Sequence, residues 1–262
     1  MNLDVVICAK DRAHYLDQIL SQIVRIIPFK KLIIIYGTST DKTKEIAEKY
    51  TKDVFWDHDL GLGAARNLGM QKAESEIVAM IDSDVILTKN WYQKLVKHFS
   101  DPKVAAVMGT CIFGYNCKPL ERMWEYKRQT GNQNWGCSNV LFRRKTILEI
   151  GNFDEKIRGA AEDYDLYLRL QKAGYRWVWD KNTTVYHPSS IPDYLKHTYW
   201  WFSGLHQFRA SRFKLHDFIM PIPEIISTTV RYSLHVHPTF AVLYPLMYSI
   251  RLMAEFKAGL VS

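Results

Sequence analysis

Two aspartates, Asp82 and Asp84, directly follow the apolar run of residues 77–81. This run is short, unbroken and partly β-branched, which is typical of a strand that is buried on both faces. Because side chains at positions i and i+2 of an extended segment point the same way, both carboxylates are predicted to project from the strand's C-terminal end. Open α/β sheets bind ligands at that edge. Two neighbouring carboxylates repel each other unless a cation or hydrogen-bond donors compensate their charge, so these residues could bind a metal ion. The alternative is a simple turn, because Asp-Ser-Asp is also ordinary turn composition.

A second acidic pair, Glu162 and Asp163, begins an amphipathic segment that is predicted to be helical over residues 162–173. Acidic residues favour helix N-termini because of the helix dipole, so a structural role stays open beside a role as general base. His187 closes a predicted strand immediately before Pro188. A lone histidine is usually structural, but an imidazole near two carboxylates suits Mg²⁺ or Mn²⁺.

Two glycines and an arginine mark residues 61–67, Gly-Leu-Gly-Ala-Ala-Arg-Asn. The segment superficially resembles a dinucleotide-binding fingerprint, but it has Arg66 in place of the third glycine and follows the third strand. A Rossmann dehydrogenase is therefore a poor fit. A glycine-rich helix entry can present N–H groups to a phosphate, and Arg66 would add a bidentate contact. The alternative is a helix cap with a surface arginine.

Strands and helices alternate around these residues. The periodicity predicts strands at 3–8, 31–36, 54–56 and 77–81, with helices at 13–25, 42–50 and 61–73 between them. This order predicts a parallel, doubly wound sheet, which a helix at 89–99 and a strand at 104–108 continue. Residues 110–135 are predicted to be irregular. Further elements are predicted at 137–143 (strand), 145–150 (helix), 175–179 (strand) and 184–186 (strand).

Composition narrows the class of protein. With 262 residues and 47% hydrophobic residues, the chain is expected to be globular. A formal net charge of +8 favours an anionic partner, but no nucleic-acid recognition motif is present. The four cysteines form no CxxC pair, so we expect free thiols and no zinc site. The first residues show no basic region and no leader, so no secretory signal is predicted.

Eight motifs in this order resemble family 2 glycosyltransferases of the GT-A fold, over roughly residues 3–190. They are Lys10-Asp11-Arg12, Ser39-Thr40-Asp41-Lys42-Thr43, the segment 61–67, Asp82-Ser83-Asp84, Gly151-Asn152-Phe153-Asp154, Ala161-Glu162-Asp163, Leu168-Arg169-Leu170 with Ala173-Gly174-Tyr175, and Val185-Tyr186-His187. The resemblance implies a mostly parallel, twisted α/β sheet flanked by helices. It also implies a nucleotide-diphosphate-sugar donor and Mn²⁺ or Mg²⁺.

The resemblance further assigns roles to residues. Asp84 and His187 would ligate the cation, and Asp82 would face the ribose or a metal-bound water and so belong to the metal site as well. Asp163 matches the inverting general base, with Glu162 beside it as the second catalytic acid. The other residues expected to contact the donor are Ala9, Asp11, Arg12, Gly37, Arg66, Ser83 and Arg209.

The chain departs from this family at the positions that recognise the nucleobase. Relatives commonly carry acidic residues at the end of the second strand, where this chain has Tyr36 and Gly37. The usual Pro-Thr after the first strand is replaced by Cys8-Ala9. Uridine is therefore not assumed. A degenerate scaffold that binds a nucleotide sugar or a membrane partner without turnover is the alternative function.

Aromatic, basic and then apolar residues predominate after Pro192. This change in composition predicts a catalytic domain over 1–192 and a helical appendage over 193–262. Residues 232–250 carry no Lys, Arg, Asp or Glu, close to the ~20 residues that span a bilayer, but two histidines and two prolines interrupt them. An aromatic and basic segment, 194–216, precedes this run.

These features favour a shallow, in-plane anchor on the cytoplasmic face of a membrane. It would bring the site to a lipid-linked acceptor, a polyprenyl phosphate or a lipid-borne glycan. Helices packed on the catalytic domain are the alternative.

Overall fold

The computed structural model describes residues 2–131, 135–209 and 222–261. Within these residues, seven strands form one sheet. They are β1 (Leu3–Ala9), β2 (Lys31–Tyr36), β3 (Val54–Trp56), β4 (Ile77–Ile81), β5 (Val104–Tyr115), β6 (Asn139–Arg143) and β7 (Arg176–Pro188). Their order in the sheet is β3-β2-β1-β4-β6-β5-β7.

Helices alternate with these strands and continue past the last of them. They are α1 (Ala13–Ile26), α2 (Thr43–Tyr50), α3 (Leu62–Lys72), α4 (Trp91–Val96), α5 (Lys118–Thr130), α6 (Arg144–Glu149), α7 (Glu162–Lys172), α8 (Ile191–Arg209), α9 (Ile222–His235) and α10 (Phe240–Val261). The predicted α/β class, with a mostly parallel sheet and a helical C-terminal region, is confirmed.

The first four strands position the site. β3, β2, β1 and β4 run parallel, and the register pairs Ala9 with Tyr36 and Tyr36 with Trp56. Their C-terminal ends therefore lie along one edge of the sheet, where open α/β sheets bind ligands. All five residues of β4 are buried, as predicted from its uninterrupted apolar run.

The sheet beyond β4 differs from the prediction. β6 lies between β4 and β5 and is antiparallel to both, so β5 does not directly continue the parallel half. β7 is one continuous strand, where two short strands at 175–179 and 184–186 were predicted. The predicted irregular stretch contains α5, which buries Leu120 and Met123 at helical spacing and has a proline in its first turn.

Helix α1 buries four of the five apolar residues that the sequence placed on one face. Leu16, Ile19, Leu20 and Ile23 are buried, but Val24 is 50% exposed. These four residues form the buried face of α1, and Val24 lies beside that face, toward solvent. Surface valines of this kind are common, because a folded protein cannot cover itself with polar atoms alone.

The chain forms two compact units. Unit 1 comprises Met1–Cys111, Asn132–Arg158 and Glu162–His187, and unit 2 comprises Ile112–Gly131, Gly159–Ala161 and Pro188–Ser262. Unit 2 has its own core, in which Tyr232 makes edge contacts with Phe240 and with Tyr126. No helix in the described part of the chain is long and apolar enough to span a membrane.

Candidate active site

The two predicted site aspartates lie in the turn after β4 and contact different partners. The Asp82 N–H donates to the Ser138 carbonyl oxygen at 3.0 Å, which extends the pairing of β4 with β6. The Asp82 carbonyl oxygen accepts from the Val85 N–H at 3.2 Å, so the chain turns immediately. The side chain of Asp82 is 36% exposed, and that of Asp84 is 10% exposed. Asp-Ser-Asp is thus a turn that also presents two carboxylates.

Asp84 contacts two residues that the sequence had assigned to the site. Its Oδ1 lies 3.1 Å from Nε2 of His187, and its Oδ2 lies 3.2 Å from Nε of Arg12. Ile86 and Tyr186 exchange two backbone hydrogen bonds of 2.8 and 3.0 Å, which hold β7 beside the turn after β4. This bridge brings the histidine to the carboxylate.

Arg66 joins the two acidic pairs of the sequence. Its guanidinium group contacts the Glu162 carboxylate through one nitrogen, and the other lies 3.2 Å from Asp82 Oδ1. Burial opposes the charge of this group, but the nearby Cys137, Asp82 and Asp163 groups outweigh burial and raise the pKa of Arg66. The arginine that the sequence offered as a phosphate ligand is therefore buried between two carboxylates.

The two acids at the start of α7 have different surroundings. Glu162 is only 2% exposed and is paired with Arg66, and its Oε2 has no hydrogen-bond partner. Asp163 is half-buried, and its Oδ1 accepts from the Tyr164 N–H at 2.8 Å. Burial raises the pKa of Asp163, against the opposing charge of Arg66. Of the two carboxylates, Asp163 is therefore the more accessible one.

The two glycines at the N-terminal end of α3, Gly61 and Gly63, have a packing role. A Cβ added to Gly61 would lie 2.7 Å from the Arg158 backbone, and one added to Gly63 would lie 2.6 Å from the Asp154 carbonyl oxygen. Gly61 also has a φ of +108°, which L side chains rarely adopt. The Leu62 N–H donates to the Arg158 carbonyl oxygen at 3.3 Å. Residues 154–158 thus cover the helix entry that the sequence proposed as a phosphate site.

Asp11 connects the loops after β1 and β2. Its Oδ1 accepts from the Thr40 N–H at 2.7 Å, and its own N–H donates to Ser39 Oγ at 3.0 Å. Ala9, the last residue of β1, accepts from the Gly37 N–H at 3.1 Å. These predicted donor contacts therefore lie together at the C-terminal edge of the sheet.

Two aspartates at this edge, Asp57 and Asp59, were not predicted from the sequence. Asp59 accepts from Lys10 Nζ at 2.9 Å and from the Thr38 N–H at 3.1 Å. Hydrogen bonds from the Thr38 side chain first, then from Lys10 and the Thr38 backbone, lower the pKa of Asp59 to about 2. Burial raises the pKa of Asp57. Both aspartates approach the space where a side chain at Gly37 would stand. Two acids after the third parallel strand were the signal that could have identified them.

Ser83 and Arg209 are the other two residues that were predicted to contact the donor. Ser83 is buried in the turn between the two aspartates. Arg209 is the last residue of α8, and its side chain lies outside the part of the chain that the structure describes.

The Asp84–His187 pair fits a divalent cation by its chemistry. Carboxylate oxygen and imidazole nitrogen are donors that Mn²⁺ accepts. Among the residues that the structure describes, no group of three His, Cys, Asp or Glu side chains is placed to hold a metal ion. Mg²⁺ at nucleotide sites is commonly held by one or two carboxylates plus substrate phosphates, so a site completed by the substrate fits these two residues.

Comparisons with known proteins identify the family of the chain. Residues 4–157 match the family model described as glycosyl transferase family 2. The O-antigen chain rhamnosyltransferase WbaN of Salmonella anatum is 30% identical over 177 residues, which cover 60% of this chain and 56% of that protein. The pre-mycofactocin glycosyltransferase of Mycobacterium tuberculosis is 30% identical over 149 residues, which cover 50% of this chain and 30% of that protein.

Solved structures show the same fold. The mannosyltransferase PcManGT from Pyrobaculum calidifontis, in complex with GDP-Man and Mn²⁺, aligns with a TM-score of 0.65 at 18% identity. The alignment covers 99% of this chain and 86% of that one. TarS from S. aureus aligns with a TM-score of 0.54 at 14% identity, over 99% of this chain and 55% of that one. At these identities the likeness confirms the predicted fold.

Proposed function

The chain belongs to glycosyl transferase family 2, and we propose that it moves a sugar from a nucleotide-diphosphate sugar to an acceptor hydroxyl or phosphate, with inversion at the anomeric carbon. The observation that supports this proposal most is that Arg66 contacts both acidic motifs. Arg66 contacts Asp82, two residues before Asp84, and Glu162, which directly precedes Asp163. The side chains that would bind the donor and the one that would accept a proton thus share one centre in unit 1.

Asp163 is the proposed general base. For a hydroxyl acceptor, its carboxylate takes the proton while the acceptor oxygen attacks the anomeric carbon and the nucleoside diphosphate leaves from the opposite face. A base works best when its pKa lies closer to the working pH, and burial shifts the pKa of Asp163 in that direction. Glu162 is held by Arg66 and supports the position of the base instead.

Asp84 and His187 are the proposed protein ligands of Mn²⁺ or Mg²⁺. Asp82, which contacts Arg66, would face the ribose or a metal-bound water. When bound, the cation would neutralise charge that develops on the leaving diphosphate. Arg12 lies 3.2 Å from Asp84 and supplies a second positive group at the same place. Complexes of structural neighbours with Mn²⁺ or Mg²⁺ support this assignment.

Asp84→Ala and His187→Ala should each lower metal-stimulated turnover by at least ~10–100-fold, the range for loss of a residue that supports a metal ligand. The measurement is release of nucleoside diphosphate over a Mn²⁺ titration. His98→Ala is the matched control, because His98 also pairs with an aspartate, Asp180, at 3.0 Å. Equal turnover of the Asp84→Ala variant and the wild type would rule out the metal assignment.

The proposed acceptor is lipid-linked or glycan in nature, and unit 2 is proposed to lie on the membrane surface. O-antigen rhamnosyltransferases among the relatives support a glycan acceptor. Helix α9 exposes Ile226, Val230 and Leu234 at i, i+4 and i+8. Helix α10 exposes Val242, Leu246, Met253 and Phe256 along one face. Such amphipathic helices can lie in the headgroup region.

Exchange of exposed leucines for glutamates should weaken binding to anionic lipid. Leu234→Glu with Leu246→Glu removes two apolar contacts and adds two negative charges, so less protein should float with vesicles that contain anionic lipid. His235→Glu with Ala241→Glu adds the same charge at exposed positions outside these apolar faces and should float nearly as the wild type does. Wild-type protein that stays with the unbound fraction at low salt would contradict membrane association.

A scaffold that binds a nucleotide sugar without turnover is the second candidate function. Tyr36 and Gly37, at the positions where relatives carry acids, favour it. The Asp84–His187 contact and the raised pKa of Asp163 oppose it. Thermal shifts with nucleoside diphosphates and their sugars measure binding independently of turnover, because stabilisation increases with ligand concentration relative to Kd. A donor that stabilises the fold but releases no nucleoside diphosphate would favour the scaffold.

A further inference from the structure

An exposed tryptophan is held in a ring stack beside the proposed base. Trp135 is 40% exposed. Its ring centroid lies 5.2 Å from that of Tyr167, with an interplanar angle of 19°, and 5.0 Å from that of Tyr164, with an angle of 36°. Both tyrosines belong to α7, the helix that begins with Glu162 and Asp163. Trp135 therefore stacks on Tyr167 and lies tilted against Tyr164, all three within unit 1.

The two tyrosines support the same face of the indole. Their centroids are only 6.2 Å apart, with an interplanar angle of 20°. Rings on opposite faces of Trp135 would be separated by nearly the sum of the two stacking distances. The tyrosines therefore lie side by side behind the indole, and we assign its exposed area to the opposite face.

The indole is next to Asp163. Gly136 follows Trp135 directly, and a Cβ added to Gly136 would lie 3.8 Å from Asp163 Oδ2. Tyr164, which supports the indole, follows Asp163 directly. Gly136 has a φ of +154°, which L side chains rarely adopt, and it leaves the space beside the carboxylate open.

We propose that Trp135 is the stacking surface for a sugar ring of the acceptor. The face of an aromatic ring carries partial negative charge, which attracts the C–H groups on the apolar face of a pyranose. A ring stacked there would place its hydroxyls beside the Asp163 carboxylate. The inference rests on the proposed function, because it takes Asp163 as the group that meets the acceptor. The acceptor is then a saccharide at its reacting end.

The test is saturation-transfer NMR with the methyl glycosides of glucose, galactose, mannose and rhamnose as probes. At least one glycoside should receive saturation at its ring C–H protons from the wild-type protein. Trp135→Ala should weaken that binding by about tenfold, as expected when a stacking contact is removed, and Trp135→Phe should largely retain it. Trp200→Ala is the matched control, because Trp200 is similarly exposed, at 41%, and belongs to unit 2.

Nucleoside-diphosphate release from donors, measured on the same variants, separates the two proposals. Donor cleavage with equal glycoside binding by wild type and Trp135→Ala would overturn the stacking surface alone. A wild-type protein that binds none of the four glycosides would also overturn it. Absence of donor cleavage in every variant, with glycoside binding that depends on Trp135, would overturn the transferase and leave the sugar-binding surface intact.

Discussion

Asp163→Asn should lower the rate of sugar transfer by at least ~100-fold, the lower end of what a general base contributes. The amide keeps the shape of the carboxylate but cannot accept the proton of the acceptor hydroxyl. Donor binding should be retained, because Asp163 has no proposed contact with the diphosphate. The rate is read from transfer to the acceptor, and donor binding from the thermal shift with the same nucleotide sugar.

Asp165→Asn is the control for this substitution. Asp165 lies on the same helix, loses the same charge and is paired with Arg169 at 2.6 Å, so its loss should leave transfer nearly unchanged. Glu162→Gln distinguishes the two neighbouring acids. Normal transfer by Asp163→Asn together with a large loss in Glu162→Gln would show that the base is Glu162.

The pH dependence of transfer provides an independent check on the same residue. A general base must be deprotonated, and burial raises the pKa of Asp163 above its ordinary value of 3.8. The transfer rate should therefore fall as the pH decreases through this raised pKa, at a higher pH than an exposed aspartate would give. The Asp163→Asn variant should lose this acid limb.

Arg66→Met should lower the free energy of unfolding by about 3–5 kcal/mol, the cost of removing one partner from a buried ion pair. The substitution leaves Glu162, which is 2% exposed, without its counter-charge. Asp82 also loses its partner, although its side chain is 36% exposed and water compensates in part. Denaturation by guanidinium, followed by circular dichroism, measures the change.

Two further variants show whether the buried pair causes this loss. Arg66→Met with Glu162→Leu removes both charges and should recover much of the stability, because no unpaired charge remains. Arg176→Met removes an exposed arginine paired with Asp101 and should cost no more than ~1 kcal/mol. An Arg66→Met variant that is as stable as Arg176→Met would contradict a central role for the buried pair.

The parallel half of the sheet was predictable because its signals are local. The apolar run of β4, the helical spacing of Leu16 to Ile23 and the alternation of strands and helices depend only on neighbouring residues. The insertion of β6 between β4 and β5 depends on long-range pairing, which periodicity does not encode. Helix α5 was missed because its buried residues, Leu120 and Met123, are few among many polar ones.

The sequence could propose the residues of the candidate site but not the contacts between them. The resemblance to a family named Asp84 and His187 together, and the structure places them 3.1 Å apart. The burial of Arg66 against Glu162 could not be read from the sequence, because nothing local distinguishes a buried arginine from a surface one. The stacking of Trp135 on two tyrosines of α7 likewise depends on tertiary packing.

The most direct test of the proposed transferase is release of nucleoside diphosphate from uridine, guanosine and thymidine diphosphate sugars, with and without Mn²⁺. We expect the wild-type chain to cleave at least one of these donors in the presence of Mn²⁺, with little release without it. A donor that stabilises the fold in a thermal shift but is not cleaved with any cation or acceptor would contradict a transferase and establish the binding scaffold instead.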